Sequence, residues 1–116
     1  MIDIEDVTTP NFKNYLKTEA AKNIHCFLDV DQSNKTRLEL VMESEFLGKK
    51  LDLVIDDASH LYEPALATFE TLFPKLRPNG VYIIEDWGWS HWPGDYWQGA
   101  EAPWRNRVGL SNLVFQ

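Results

Sequence analysis

Two acidic pairs, each closing a short apolar run, are the residues of this chain best suited to chemistry. Leu51-Asp52-Leu53-Val54-Ile55 runs into Asp56-Asp57, Val81-Tyr82-Ile83-Ile84 runs into Glu85-Asp86, and His60 stands three residues after Asp57. Carboxylates that converge repel one another unless something positive sits among them. Hard oxygen donors with room for water suit magnesium or calcium. An imidazole titrates near neutrality, so beside such a cluster it is available as a general base. The same residues also suit a plainer role, because Asp and Ser after a strand commonly cap the next helix and acidic residues at a helix start favour its dipole. Capping does not account for Glu85-Asp86, since no helical pattern follows Trp87 immediately.

The elements that must position these groups can be read from periodicity. LDLVI and VYII are β-favouring runs too short for helices, and both read as buried strands. Between them Tyr62, Ala65, Leu66, Phe69, Leu72, Phe73 and Leu76 fall at helical spacing, which predicts one helix with one buried stripe. Ser59 can cap it, Pro64 fits its first turn, and Arg77-Pro78-Asn79-Gly80 makes the turn into the second strand. The unit is therefore βαβ, whose crossover is right-handed in nearly all cases, so both strands end on one edge. Neighbouring strands lie about 4.8 Å apart. The two acidic pairs can then converge at the carboxyl edge, where open α/β sheets bind ligands.

Asp56-Asp57-Ala58-Ser59-His60, the helix with residues 69–78, and Gly80-Val81-Tyr82-Ile83-Ile84-Glu85-Asp86 resemble the class I S-adenosylmethionine-dependent methyltransferases. Within these the segment is most similar to the metal-dependent O-methyltransferases of the macrocin and mycinamicin sugar type and to the related cephalosporin-hydroxylase-like group. The resemblance implies a magnesium site on Asp57, Glu85 and Asp86, with His60 as catalytic base. It also implies S-adenosylmethionine as cofactor, Mg2+ or another divalent cation beside it, and a small-molecule hydroxyl acceptor.

A chain of 116 residues suits one domain, able to bury roughly two-thirds of its unfolded surface. Its 44% hydrophobic content argues against disorder, and its formal charge of -7 argues against a nucleic-acid partner held through phosphates. The lone Cys26 has no partner for an internal disulfide and reads as a buried structural thiol. No signal-peptide pattern opens the sequence and no apolar run approaches the roughly 20 residues of a membrane span. The expectation is a cytoplasmic protein with neither a membrane nor a nucleic acid as partner.

In chain order, Met1-Ile2-Asp3-Ile4 reads as the tail of a strand, and in the resembling family the second strand ends in an acidic residue that binds the cofactor ribose; Asp3 matches it. Residues 11–22 predict a weak helix and residues 24–30 a strand. After that strand the family places its adenine contacts, which Asp31 and Gln32 match, while Ser33 or Asn34 can cap the next helix. Leu38, Val41, Met42 and Phe46 then mark a helix closed by Gly48. All five tryptophans follow Asp86, interleaved with Gly and Pro. Trp87, Trp89, His91 and Trp92 are the candidate walls of an acceptor pocket for a sugar or another ring, though such a loop can also pack its own rings or face a partner. Residues 110–116 begin a helix.

The family's Gly-rich cofactor loop has no counterpart here: the glycines are Gly48, Gly80, Gly88, Gly94, Gly99 and Gly109. The expected fold is α/β, a Rossmann-like methyltransferase core with a partial, mostly parallel sheet and flanking helices. It forms a single partial domain over 1–116, with core strands two to five in 1–86, a Trp-rich loop over 87–109 and a helix start over 110–116. The expected function is metal-assisted O-methyl transfer by a truncated enzyme, with a homo-oligomer or a partner filling the missing segment. The alternatives are an inactive fragment, a metal-binding or interaction module, and a hydrolase using the same carboxylates.

Overall fold

The computed structural model describes residues 1–116 except Ile4, Val7, Pro103, Trp104 and Gln116. Part of the expected first strand tail, one loop tryptophan and the last residue of the expected terminal helix thus lie outside the described residues. The organising unit is as expected. Strands β1 (Leu51–Asp56) and β2 (Leu76–Ile84) pair in parallel, joined by helix α3 (Tyr62–Leu72) and a 3-10 turn at Phe73–Lys75. Register runs Leu53 with Val81, Val54 with Tyr82, Ile55 with Ile83 and Asp56 with Ile84.

Three local features depart from the sequence reading. Arg77-Pro78-Asn79-Gly80 lies within β2 rather than before it. Leu51 pairs with Leu76 and Leu53 with Val81, so these residues form an irregularity opposite Asp52, which Asn79 turns at φ 66° and where Pro78 needs no ladder donor. Ser59 does not cap α3; Leu61 holds that position, and the Ser59 hydroxyl instead accepts the Leu61 N–H at 3.3 Å. The buried residues of α3 are Ala65, Ala67, Thr68, Thr71 and Leu72, so of the predicted stripe only Ala65 and Leu72 are fully buried, and Phe73 is exposed. The Thr68 and Thr71 hydroxyls are satisfied by the carbonyls of Gln32 and Pro64 and of Ala67, so burial leaves no orphan donor.

Burial of the sheet is one-sided. Met42, Leu51 and Leu72 form the core, with Val54, Leu76 and Tyr82 packed against it, whereas Leu53, Ile55, Val81 and Ile83 are 40–53% exposed. The strands are therefore buried on the helical side alone, because α2 (Lys35–Phe46) packs on α3 and α3 on β1. Asn34 caps α2 by accepting the Arg37 N–H, Leu38, Val41 and Met42 are its buried residues, and Leu47 ends it in the left-handed region at φ 50°.

The expected helix over 11–22 is divided into α1 (Pro10–Tyr15), capped by Thr9, and a 3-10 turn at Glu19–Ala21. The Thr18 hydroxyl donates to the Tyr15 carbonyl at 2.8 Å and so competes with continued helix. The strand expected over 24–30 is reduced to one parallel bridge, Ile2 with Phe27, supported by bonds from Phe27 N to Met1 O and from Asp3 N to Phe27 O. Asp29, at φ 58°, breaks the extended run. Cys26 is half-buried. After β2 come a 3-10 turn at Trp89–His91 and the short helices α4 (Asp95–Gln98) and α5 (Ser111–Val114). No helix among the described residues is long and apolar enough to cross a membrane.

Candidate metal and catalytic centre

Parallel pairing places the ends of β1 and β2 side by side, and the ladder continues one step beyond them through Glu85 N donating to Asp56 O at 2.9 Å. The two acidic loops leave from that edge. Asp57, His60 and Asp86 converge there, each offering one ligand atom, with those atoms all within 4.8 Å of one another. Glu85 is exposed and does not join this group. Two of the three members hold left-handed backbone, His60 at φ 55° and Asp86 at φ 47°. His and Asp tolerate that region better than most residues, but it is sparsely used and concentrates at functional turns.

The donor set fits a divalent cation. Two exposed carboxylates supply hard oxygens with room for water, and His60 Nε2 lies 3.9 Å from Asp57 Oδ1, inside the same group. His60 Nδ1 is buried and has no hydrogen-bond partner among the described residues. The backbone of His60 is fixed from the aromatic loop: buried Trp89 donates its indole N–H to the His60 carbonyl at 2.6 Å.

Behind the exposed cluster lies a buried polar network that the sequence reading passed over. Asp56, 6% exposed, accepts Gln32 Nε2 at 2.6 Å and Tyr82 OH at 3.4 Å. Burial pushes its pKa up, opposed by hydrogen bonds from Ala58 N–H, Gln32 and Tyr82. Burial and the adjoining Asp56 carboxylate likewise raise the Tyr82 phenol. The signal was the alternation of VYII, which sends Tyr82 to the side of the sheet that also receives Asp56.

The remaining sequence candidates are placed as follows. Asp3 sits on the parallel bridge, with its carbonyl accepting Val30 N–H at 3.0 Å. Asp31 is exposed, and bonds from the Ser33 hydroxyl and N–H lower its pKa. Gln32 directs its amide to Asp56 and Ser59. Trp87 packs edge-on against Phe115, and Trp92, 41% exposed, packs edge-on against Trp97. His91 Nε2 meets Ser111 Oγ at 2.9 Å and lines an open cleft of about 710 Å3 with Tyr62, Val108, Ser111, Asn112 and Phe115. Tyr62, which follows His60 by two residues, was not singled out as a pocket residue from sequence.

A family model described as a methyltransferase domain matches residues 2–87. The chain is 48% identical over 66 residues to the 8-demethyl-8-alpha-L-rhamnosyl tetracenomycin-C 2'-O-methyltransferase of Streptomyces olivaceus, a match covering 55% of this chain and 17% of that protein. It is 51% identical over 63 residues to the demethylmacrocin O-methyltransferase of Streptomyces fradiae, covering 54% and 15% respectively. Among solved structures it resembles the MycE methyltransferase from the mycinamycin biosynthetic pathway in complex with Mg and SAH. That match has a TM-score of 0.60 and 26% identity, over 98% of this chain and 26% of the other. The fold is thus a part of the Rossmann-like methyltransferase architecture. The matched regions make up 15–17% of those two curated relatives.

Proposed function

The chain belongs to the methyltransferase-domain family, and on that premise we propose that it carries the metal and proton-transfer centre of an S-adenosylmethionine-dependent O-methyltransferase acting on a sugar or other natural-product hydroxyl. The observation that carries this reading is the convergence of Asp57, His60 and Asp86 at the shared carboxyl edge of β1 and β2. The relatives' names support the substrate class, since one is a 2'-O-methyltransferase of a rhamnosyl tetracenomycin and the other a demethylmacrocin O-methyltransferase, and a second MycE structure holds Mg, SAH and mycinamycin VI.

Asp57 and Asp86 would hold the cation, while Glu85, next to Asp86 in sequence, stands outside the converging group. When bound, the cation supplies Lewis-acid polarisation of the acceptor oxygen and S-adenosylmethionine supplies the activated methyl group. His60 takes the hydroxyl proton at Nε2, the ring atom that faces the carboxylates. Trp89 holds the His60 backbone, which fixes the point from which the ring projects. Asp3, Asp31 and Gln32 lie at the carboxyl side of the Ile2–Phe27 bridge and would bind the nucleoside part of the cofactor. Acceptor binding falls to the His91 cleft, where Tyr62 and Phe115 offer flat apolar walls and Asn112 and His91 polar contacts, with Trp87 and Trp92 in the adjoining loop.

Calorimetric titration of the chain with S-adenosylmethionine, with and without Mg2+, tests this, repeated on Asp57→Ala. Saturable binding of both ligands, with Mg2+ lost in the variant, is the expected result. Mg2+ binding without cofactor binding would favour a second reading, a metal-binding remnant, for which the lack of any glycine before Gly48 is the motivating observation. No binding of either ligand to folded chain would overturn the centre as drawn.

A further inference from the structure

Residues 57–61 join β1 to α3 without regular structure, yet they carry two of the three converging groups and must hold His60 at an unusual φ. Something outside the turn has to fix it. Gln32, from a segment remote in sequence, is placed to do so. Its Nε2 donates to Asp56 Oδ1 at 2.6 Å, while its Oε1 accepts both the Ser59 hydroxyl at 2.7 Å and the Ser59 N–H at 3.2 Å. The partners dictate this orientation, because a carboxylate accepts and a backbone N–H donates. One carboxamide thus grips the turn on both sides of Asp57, and the Gln32 backbone is itself tied to α3 by the Thr68 hydroxyl at 3.2 Å.

We infer that Gln32 is a positioning residue, bracketing the 57–60 turn so that Asp57 and His60 stay in cation-ready geometry. The consequence for metal binding rests on the reading above; the bracket itself does not. Groups outside the ligand set that orient metal ligands typically change affinity by about 10- to 100-fold when removed. This role is separate from any contact Gln32 makes with the cofactor, since it acts when no cofactor is present.

Two readouts on the 116-residue chain test it, both without S-adenosylmethionine: amide hydrogen exchange of the metal-free turn, and Mn2+ binding followed by electron paramagnetic resonance. In Gln32→Ala the Ser59 amide should exchange faster and Mn2+ affinity should fall about 10-fold or more, with the α3 amides still protected. Gln32→Glu alone opposes two carboxylates and should be no better. Combined with Asp56→Asn it restores the bracket with one bond reversed, the introduced amide donating to the introduced carboxylate, and should recover both protection and affinity. Unchanged Ser59 exchange in Gln32→Ala, or faster exchange with unchanged Mn2+ affinity, would overturn the inference, as would failure of the folded double variant to recover. If the parent chain binds no Mn2+, the metal reading falls, and the exchange data alone decide whether Gln32 holds the turn.

Discussion

At the scale of single residues, His60 is offered two occupations by the same geometry, since its ring belongs to the group of potential ligands and also stands beside the carboxylates as a base. The two separate in one variant. If His60 is the base, His60→Ala should bind Mn2+ as the parent does while methyl transfer by the cofactor-loaded enzyme falls roughly 10²- to 10⁴-fold, the usual contribution of a positioned general base. Asp57→Ala should lose both. An equal loss of Mn2+ affinity in the two variants would make His60 a ligand instead. Asp56 gives a second prediction, with a definite sign. Its folded-state pKa lies above the ordinary carboxylate value of 3.8 because burial disfavours the charge. The folded state then holds this proton more tightly than the unfolded chain, so the group's contribution to stability falls as pH rises from that value through the raised one, and is constant above. Asp56→Asn removes the titration while keeping one acceptor oxygen. In urea unfolding at a series of pH values, the stability of the variant minus that of the parent should rise as pH increases from 3.8 through the raised value and level off above it. A difference that falls as pH rises would contradict the assignment.

At the scale of elements, what the sequence made legible was what periodicity and strand ends encode. The βαβ unit, the acidic loops at its edge and the stripe of Leu38, Val41 and Met42 follow from local pattern and appear, whereas Phe46, expected in the same stripe, is exposed at the end of α2. What it could not show depends on partners far along the chain. The Gln32 contacts to Asp56 and Ser59 span 24 and 27 residues, and no local pattern announces that an amide after one segment will bracket the turn after another. Glu85 illustrates the same limit from the other side. It is adjacent to Asp86 in sequence, but Asp86 turns through left-handed backbone and the two carboxylates do not enter one group. The turn residues 77–80 were legible in type but not in place, because pairing of Leu76 with Leu51 draws them into the strand. That pairing makes Gly80 sensitive. A Cβ there would lie 3.0 Å from Arg77 O and 3.1 Å from Leu51 O, both backbone atoms that cannot swing aside. Gly80→Ala should therefore destabilise the chain by about 1–3 kcal/mol, the usual cost of overpacking. Asn34→Ala, which removes the α2 cap, should cost about 1 kcal/mol. Denaturant melts of the two variants check both values. An unchanged midpoint for Gly80→Ala would mean that the β1 and β2 backbones separate at their amino ends more easily than the pairing implies.

At the scale of the whole molecule, the dimensions and the exposed sheet lead to one conclusion. The radius of gyration is 16.4 Å, against about 13 Å for a compact domain of this length. The accessible surface is 8145 Å2, against about 6,500 Å2 for a self-contained chain of this mass. Part of the excess lies in Leu53, Ile55, Val81 and Ile83, an exposed apolar patch on one side of a parallel pair. Parallel sheets are ordinarily covered on both faces, and an apolar face left open favours association. The 116-residue chain is therefore expected to bind an apolar dye such as ANS and to self-associate as concentration rises in sedimentation velocity. The register supplies a control. Ile55 lies directly opposite Ile83, so Ile55→Lys with Ile83→Glu replaces an apolar pair by opposite charges that can face each other across the ladder. That variant should stay monomeric over the same concentrations and bind less dye, with its helical content intact. Association that persists in the variant would move the sticky surface elsewhere. The groove lined by Leu66, Phe69, Phe73 and Trp87 would be the next to change, because it is an open cleft with large apolar side chains in its walls.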